Sequence, residues 1–228
     1  MKPLILLLWS SLTVAVFIGA RWLFNRTKFP LLHPVLVSTL ILIAIVEFSG
    51  RHYADYAQGT QWIGWILGPG VVAMAVPVYR LRAIIFSRMG VLLTIVLSTM
   101  AFSIATTSGL LALFGAGRAI MVSLSVKAVT AAVAMAIARD AHALPVVAGV
   151  GAMFAAVLGS AIGPWILSCA RVSDPRAVGL ALGCGSHAVG TARAFELGEE
   201  QGTFASVGLS LTTLAAALIC PVLFLLFS

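Results

Sequence analysis

Eight apolar runs, each close to the length of a membrane span, follow one another along the chain, over 3–23, 32–48, 62–79, 91–114, 119–138, 144–167, 177–194 and 203–227. A spanning helix needs about 20 mostly apolar residues, so each run predicts a helix. Two runs are interrupted by glycine: "LGPG", Leu67–Gly70, cuts the third, and "LGCGS", Leu182–Ser186, cuts the seventh. The fifth carries Lys127 in its middle. Polar linkers are short. The longest, "SGRHYADYAQGTQ" over Ser49–Gln61, predicts a loop with an interfacial turn around Tyr53 and Tyr56. No linker separates soluble domains, so one transmembrane domain over 1–228 is expected.

Composition turns this pattern into a class. Hydrophobic residues make up 61% of the 228 residues and charged ones 9%, against about 25% charged in a soluble domain. A chain of this length cannot bury so much apolar surface in one core. The expected fold is therefore all-α and polytopic, with seven or eight transmembrane segments, some of them interrupted. The first run has Lys2 ahead of it like a signal peptide, but it is span-length, and Ile18 stands where a cleavage site needs a small residue. A retained first helix is expected.

The net charge of +7 is scattered in short clusters without aromatic interleaving, which argues against nucleic-acid binding. The clusters bear on orientation instead. Arg21, Arg26 and Lys28 follow the first run, and Arg80, Arg82 and Arg88 follow the third. Placing both clusters in the cytoplasm puts the N-terminus outside. Eight full crossings would then put Arg171 and Arg176 outside, whereas one re-entrant segment would bring them in. Cys169, Cys184 and Cys220 have no metal-binding spacing and read as small apolar residues. No metal, cofactor or soluble-enzyme motif is expected.

The two halves, about 1–114 and 115–228, look related. A shift of about 115 residues lays "LGPGVVAMAVPVYR" over "LGCGSHAVGTARAF", matching Leu67, Gly68, Gly70 and Ala73 with Leu182, Gly183, Gly185 and Ala188. Paired broken segments in corresponding halves point to a transporter site, because a half-helix N-terminus attracts anions. In the second break Gly183 and Gly185 let the chain unwind, Ser186 can cap a new helix from His187, and Thr191 shares its face with His187. The competing reading is that these glycines only allow close helix packing. Gly68, Pro69 and Gly70 would supply backbone and a second helix start. Arg193 and Glu196 are spaced for an ion pair at the membrane boundary; Arg193 also stands near enough to the break to contact a ligand. Lys127 is costly at mid-span and marks a functional site by default, with Thr130 nearby.

These same residues carry a family resemblance. "LGPGVVAMAVPVYR", "SLSVKAVTAAVAMAIARD" and "GLALGCGSHAVGTARAFELGEEQGTFASVGLSL" resemble the LrgB/CidB family of bacterial membrane proteins over nearly the whole chain. That family commonly has prolines flanking the lysine. Here Val126 and Ala132 stand at those positions, so no sharp break is expected in this helix. The resemblance implies either of two activities. One is an antiholin-like modulator of murein hydrolase activity and autolysis, paired with an LrgA/CidA-type membrane partner. The other is a small-carboxylate carrier, by likeness to the plastidial glycolate/glycerate translocator.

The broken helices and Lys127 favour the second: secondary transport of a small monocarboxylate across the bacterial inner membrane, with Lys127, Thr130, Ser186, His187 and Thr191 as polar contacts. Proton coupling through His187 and a homodimer within the lipid bilayer complete the expectation.

Overall fold

The computed structural model describes residues 2–27, 29, 32–73 and 75–225, and these form eleven helices with no strand. Four helical stretches are long and apolar enough to cross a membrane: Leu7–Thr27, Met89–Leu113, Pro145–Cys169 and Glu199–Cys220. The protein is an all-α polytopic membrane protein. It divides into two compact units, Met1–Ala75 and Val76–Ser228.

In the first unit α1 (Lys2–Thr27) packs against α2 (Pro34–Phe48) and α3 (Tyr53–Ala73). Two expectations fail here. Most of Ser49–Gln61 is helix rather than loop, because α1 holds it. Trp9 meets Tyr56 edge-on with ring centroids 5.6 Å apart. Ser10 Oγ donates to the Gly59 carbonyl and accepts from Trp62 Nε1, both at 2.5 Å. The "LGPG" break is also absent, since α3 runs through it with Pro69 inside the helix. Proline removes one backbone bond, which a membrane helix can tolerate without unwinding. The expected 115-residue repeat thus lays an unbroken helix over a broken one.

The second unit takes in most of α4 (Ala75–Arg80), then α5 (Arg82–Ser87), α6 (Met89–Leu113), α7 (Arg118–Ser125), α8 (Ala131–Asp140), α9 (Pro145–Cys169), α10 (Pro175–Leu197) and α11 (Glu199–Leu225). Its organising feature is that two apolar runs turn back instead of crossing. The backbone N–H of Leu144 donates to Ser123 Oγ at 2.9 Å. A straight helix would hold residues 21 positions apart at about 30 Å, so the chain reverses between them and α8 folds back against α7. Helix α10 does the same. A Cβ on Gly190 would overlap the Leu182 carbonyl, although eight residues of straight helix span about 12 Å. Gly179 abuts the backbone of Gln201, and Gly183 that of Ala205. The first arm of α10 therefore runs parallel to α11, which requires the second arm to reverse direction.

The two hairpins enter from opposite ends of the unit. Arg118, at the start of α7, donates to the Phe224 carbonyl near the end of α11 at 3.3 Å. At the other end Arg176 pairs with Glu200 at 2.7 Å and Arg80 with Glu199 at 3.4 Å. Ile85 and Leu92 join Leu180, Phe204 and Val207 in the apolar cluster there. Helices α6 and α9 are each 25 residues long, about 37 Å. The hairpin arms are 8 to 12 residues, roughly 12–18 Å, so their tips come to mid-depth. Helix α9 admits both hairpins by burying small residues four apart, Ala148, Ala152, Ala156 and Ser160, the spacing that lets membrane helices approach closely.

This geometry resolves the orientation conflict. Both the fifth and the seventh apolar runs are re-entrant, so Arg171 and Arg176 lie at the same end as Arg80, with Arg118 and Arg139 at the other. Single cysteines placed at Arg139 and Arg171, with the three native cysteines replaced, are expected to label from opposite membrane faces, Arg171 from the cytoplasm. Labelling of both from one face would contradict the double re-entry.

Candidate functional site

The site is built where the two hairpin tips meet. The tip of the first is Val126–Thr130, between α7 and α8. The run expected as a continuous helix is broken here without any proline. Val126 and Val129 are buried, and Ser125 bonds Ser108 of α6 at 2.7 Å. Irregular backbone at this depth survives only when protein encloses it, and these contacts supply the enclosure. The Lys127 side chain leaves the tip sideways, and its ammonium donates to Thr107 Oγ1 of α6. Among the described residues it forms no ion pair.

The tip of the second hairpin is a single residue. His187 has φ 47° and ψ −132° inside α10, a left-handed conformation that favours glycine and costs about 1–3 kcal/mol elsewhere. The surroundings fix it. His187 Nε2 lies 2.8 Å from the Lys127 carbonyl and donates to it, because a carbonyl only accepts. Thr191 Oγ1 donates to the His187 carbonyl at 2.8 Å. With Nε2 carrying the proton in the neutral ring, Nδ1 is left as a buried acceptor without a partner. Ser186, also buried, fits against α9 where Gly159 leaves room, since a Cβ there would overlap its hydroxyl.

Of the residues singled out from the sequence, the structure brings Lys127, Thr130, Ser186 and His187 to the two tips. Gly183 serves close packing against Ala205, while Gly185 has open space around it. Thr191 holds the turn through its own helix. Arg193 pairs with Glu196 at 2.7 Å. Gly68, Pro69 and Gly70 lie within α3, so they offer no helix start. Sequence reasoning missed Thr107, Ser108 and Gly159. The polar triplet Thr106-Thr107-Ser108 inside an otherwise apolar run was the available signal.

Two helix beginnings are thus held at mid-depth, that of α8, whose N-cap Thr130 makes no side-chain capping bond, and the second arm of α10. Their free N–H groups and positive dipole ends favour an anion. Among the described residues no three His, Cys, Asp or Glu groups gather as a metal site.

The tip-to-tip bond has measurable weight. Replacing His187→Ala keeps the left-handed backbone and strands the Lys127 carbonyl, so thermal unfolding in detergent should report a loss of about 1–3 kcal/mol. His187→Gly should lose less, because glycine relieves the strain. Equal losses for the two variants would mean the backbone at 187 is unstrained.

A family model described as the LrgB-like family matches residues 13–226. "Holin-like protein CidB" of Staphylococcus aureus (strain Mu50) is 31% identical over 221 residues, covering 97% of this chain and 96% of that protein. YxaC of Bacillus subtilis, described as uncharacterized, is 32% identical over 216 residues, covering 95% and 94%. An uncharacterized Haemophilus influenzae protein is 31% identical over 226 residues, covering 98% and 97%. No solved structure matches. On the match over residues 13–226 and the 31% identity across 97% of the chain, the chain belongs to the LrgB-like family.

Proposed function

We propose that this chain is a holin-like membrane protein of the bacterial inner membrane that takes part in controlling autolysis. The observation that carries this reading is the likeness to CidB over 97% of the chain. An LrgA/CidA-type membrane protein is the partner such a role calls for. Deleting the gene in its host should change the rate of autolysis and the murein hydrolase activity released. Unchanged autolysis with and without the partner would sink the reading.

A second reading, carriage of a small monocarboxylate, is favoured by one feature: two helix hairpins enter from opposite ends and touch tip to tip. We read the consecutive pairs, α6 with the first hairpin and α9 with the second, as an inverted repeat. In such repeats substrate sites lie near mid-depth, at broken helices, and rocking of one part against the other gives alternating access. The glycolate, glycerate, lactate and pyruvate class suits a site with Lys127 and two helix beginnings. Proton coupling would act at His187, where protonating Nδ1 turns a buried acceptor into a donor. A homodimer is the simplest assembly.

Proteoliposomes loaded with the purified chain separate the readings. The carrier reading expects saturable uptake of labelled glycolate or pyruvate, lost in the Lys127→Ala, His187→Ala double variant. Uptake unchanged in that variant would discard this site, and no uptake of any small carboxylate would leave the autolysis role alone.

A further inference from the structure

Lys127 does not point its charge at the opposing hairpin. Its carbonyl makes that contact, while its ammonium lines a cavity of about 710 Å³ between α6, the end of α7 and α9. The lining is apolar except for Thr106, Thr107 and Lys127, with Leu110, Val147, Val150 and Phe154 along its length. Val150 and Phe154 are well exposed, so the cavity opens sideways between the helices. Its polar groups are not equivalent. Thr106 Oγ1 already donates to the Phe102 carbonyl at 2.7 Å. Thr107 Oγ1 accepts from Lys127 and keeps its own proton to give.

A half-buried ammonium at mid-depth without a counter-charge is costly. An anion that accepted one of its remaining N–H bonds together with the Thr107 O–H would offset that cost. Beyond that head group the lining offers only the last ammonium N–H and the acceptor lone pairs of Thr106 Oγ1, and the remaining wall is apolar. From this arrangement we propose that Lys127 and Thr107 bind the head of a free monocarboxylate bearing an unbranched apolar tail, and that the tail lies along Leu110, Val150 and Phe154. This deepens the carrier reading at Lys127, moving the carboxylate from the tip contact to the lateral cavity, and rests on that reading. It shifts the substrate class from hydroxylated acids such as glycolate and glycerate toward acids with an apolar tail, because most of the lining rewards apolar surface and only the Thr106 oxygen is left to accept from a hydroxyl. A phospholipid does not meet the requirement, because its head stays at the membrane surface while the ammonium lies roughly 12 Å inward along α7.

The test uses the full chain in nanodiscs, titrated with labelled acetate, butyrate, hexanoate and glycolate, with empty nanodiscs giving the partition background. Saturable binding should tighten about fourfold per added methylene, and hexanoate should exceed glycolate by well over roughly tenfold. Lys127→Met should abolish saturable binding of every acid. Thr107→Val, which preserves shape, should weaken binding by roughly tenfold, the worth of one hydrogen bond to a charged group. Val150→Trp, filling the cavity from its open side, should weaken hexanoate while the unfolding midpoint stays unchanged. Glycolate binding as tightly as hexanoate, or hexanoate binding indifferent to both Lys127→Met and Thr107→Val, would overturn the assignment. Saturable hexanoate binding without uptake into proteoliposomes would keep the site and remove the carrier. Glycolate uptake with no hexanoate binding would remove the site and keep the carrier.

Discussion

A polypeptide that reverses direction in the middle of a membrane must satisfy the backbone groups it uncovers. Each N–H or C=O left without a partner in hydrocarbon costs several kcal/mol. The second unit meets this requirement by making each hairpin tip part of the other's enclosure. The Lys127 carbonyl, released where α7 ends, accepts a hydrogen bond from His187 Nε2 at 2.8 Å. The strained backbone at His187 is kept by that bond and by Thr191 on the following turn. Neither tip has this arrangement without the other, so the mid-depth contact is a condition of the fold as well as a feature of the site.

The condition propagates outward into packing. A hairpin occupies twice the width of a single helix, and its neighbours must yield space. Helix α9 does so with its buried small residues, and α10 with Gly179 and Gly183 set against the backbone of α11. Side chains in those places would collide with main-chain atoms, which cannot move aside. The glycines of the "LGCGSHAVG" stretch therefore divide by role. Gly183 and Gly190 permit close approach, Gly185 has open space, and the turn itself falls on a histidine.

Much of the fold was legible because hydropathy reports burial in lipid directly. Among the described residues each of the eight apolar runs is mostly helical, and the interruption at 182–187 marked a real turn. Direction was not legible. An apolar run that crosses and one that doubles back have the same composition, and only the conflict over Arg171 and Arg176 hinted at re-entry. The break at Lys127 was hidden because no proline marks it; the enclosing contacts come from Thr107 and Ser108 on another helix. Conversely, "LGPG" carries the strongest local signal for a break and stays helical. Local breakers make a turn affordable, but tertiary partners decide whether it forms. For the candidate site, Lys127, Ser186 and His187 were readable as misplaced polarity, whereas their partners on α6 and α9 needed the folded chain.

The autolysis reading and the carrier reading draw on different physical content. The autolysis proposal calls on a membrane protein and a partner, and it uses none of the polar groups at mid-depth. The two hairpins retain such groups: an unpaired ammonium, a buried histidine nitrogen without a partner and two helix beginnings. Each of these destabilises the fold relative to an apolar replacement, and none is needed to anchor a helix bundle in lipid. The carrier proposal gives these groups a use, and the autolysis proposal does not call on them.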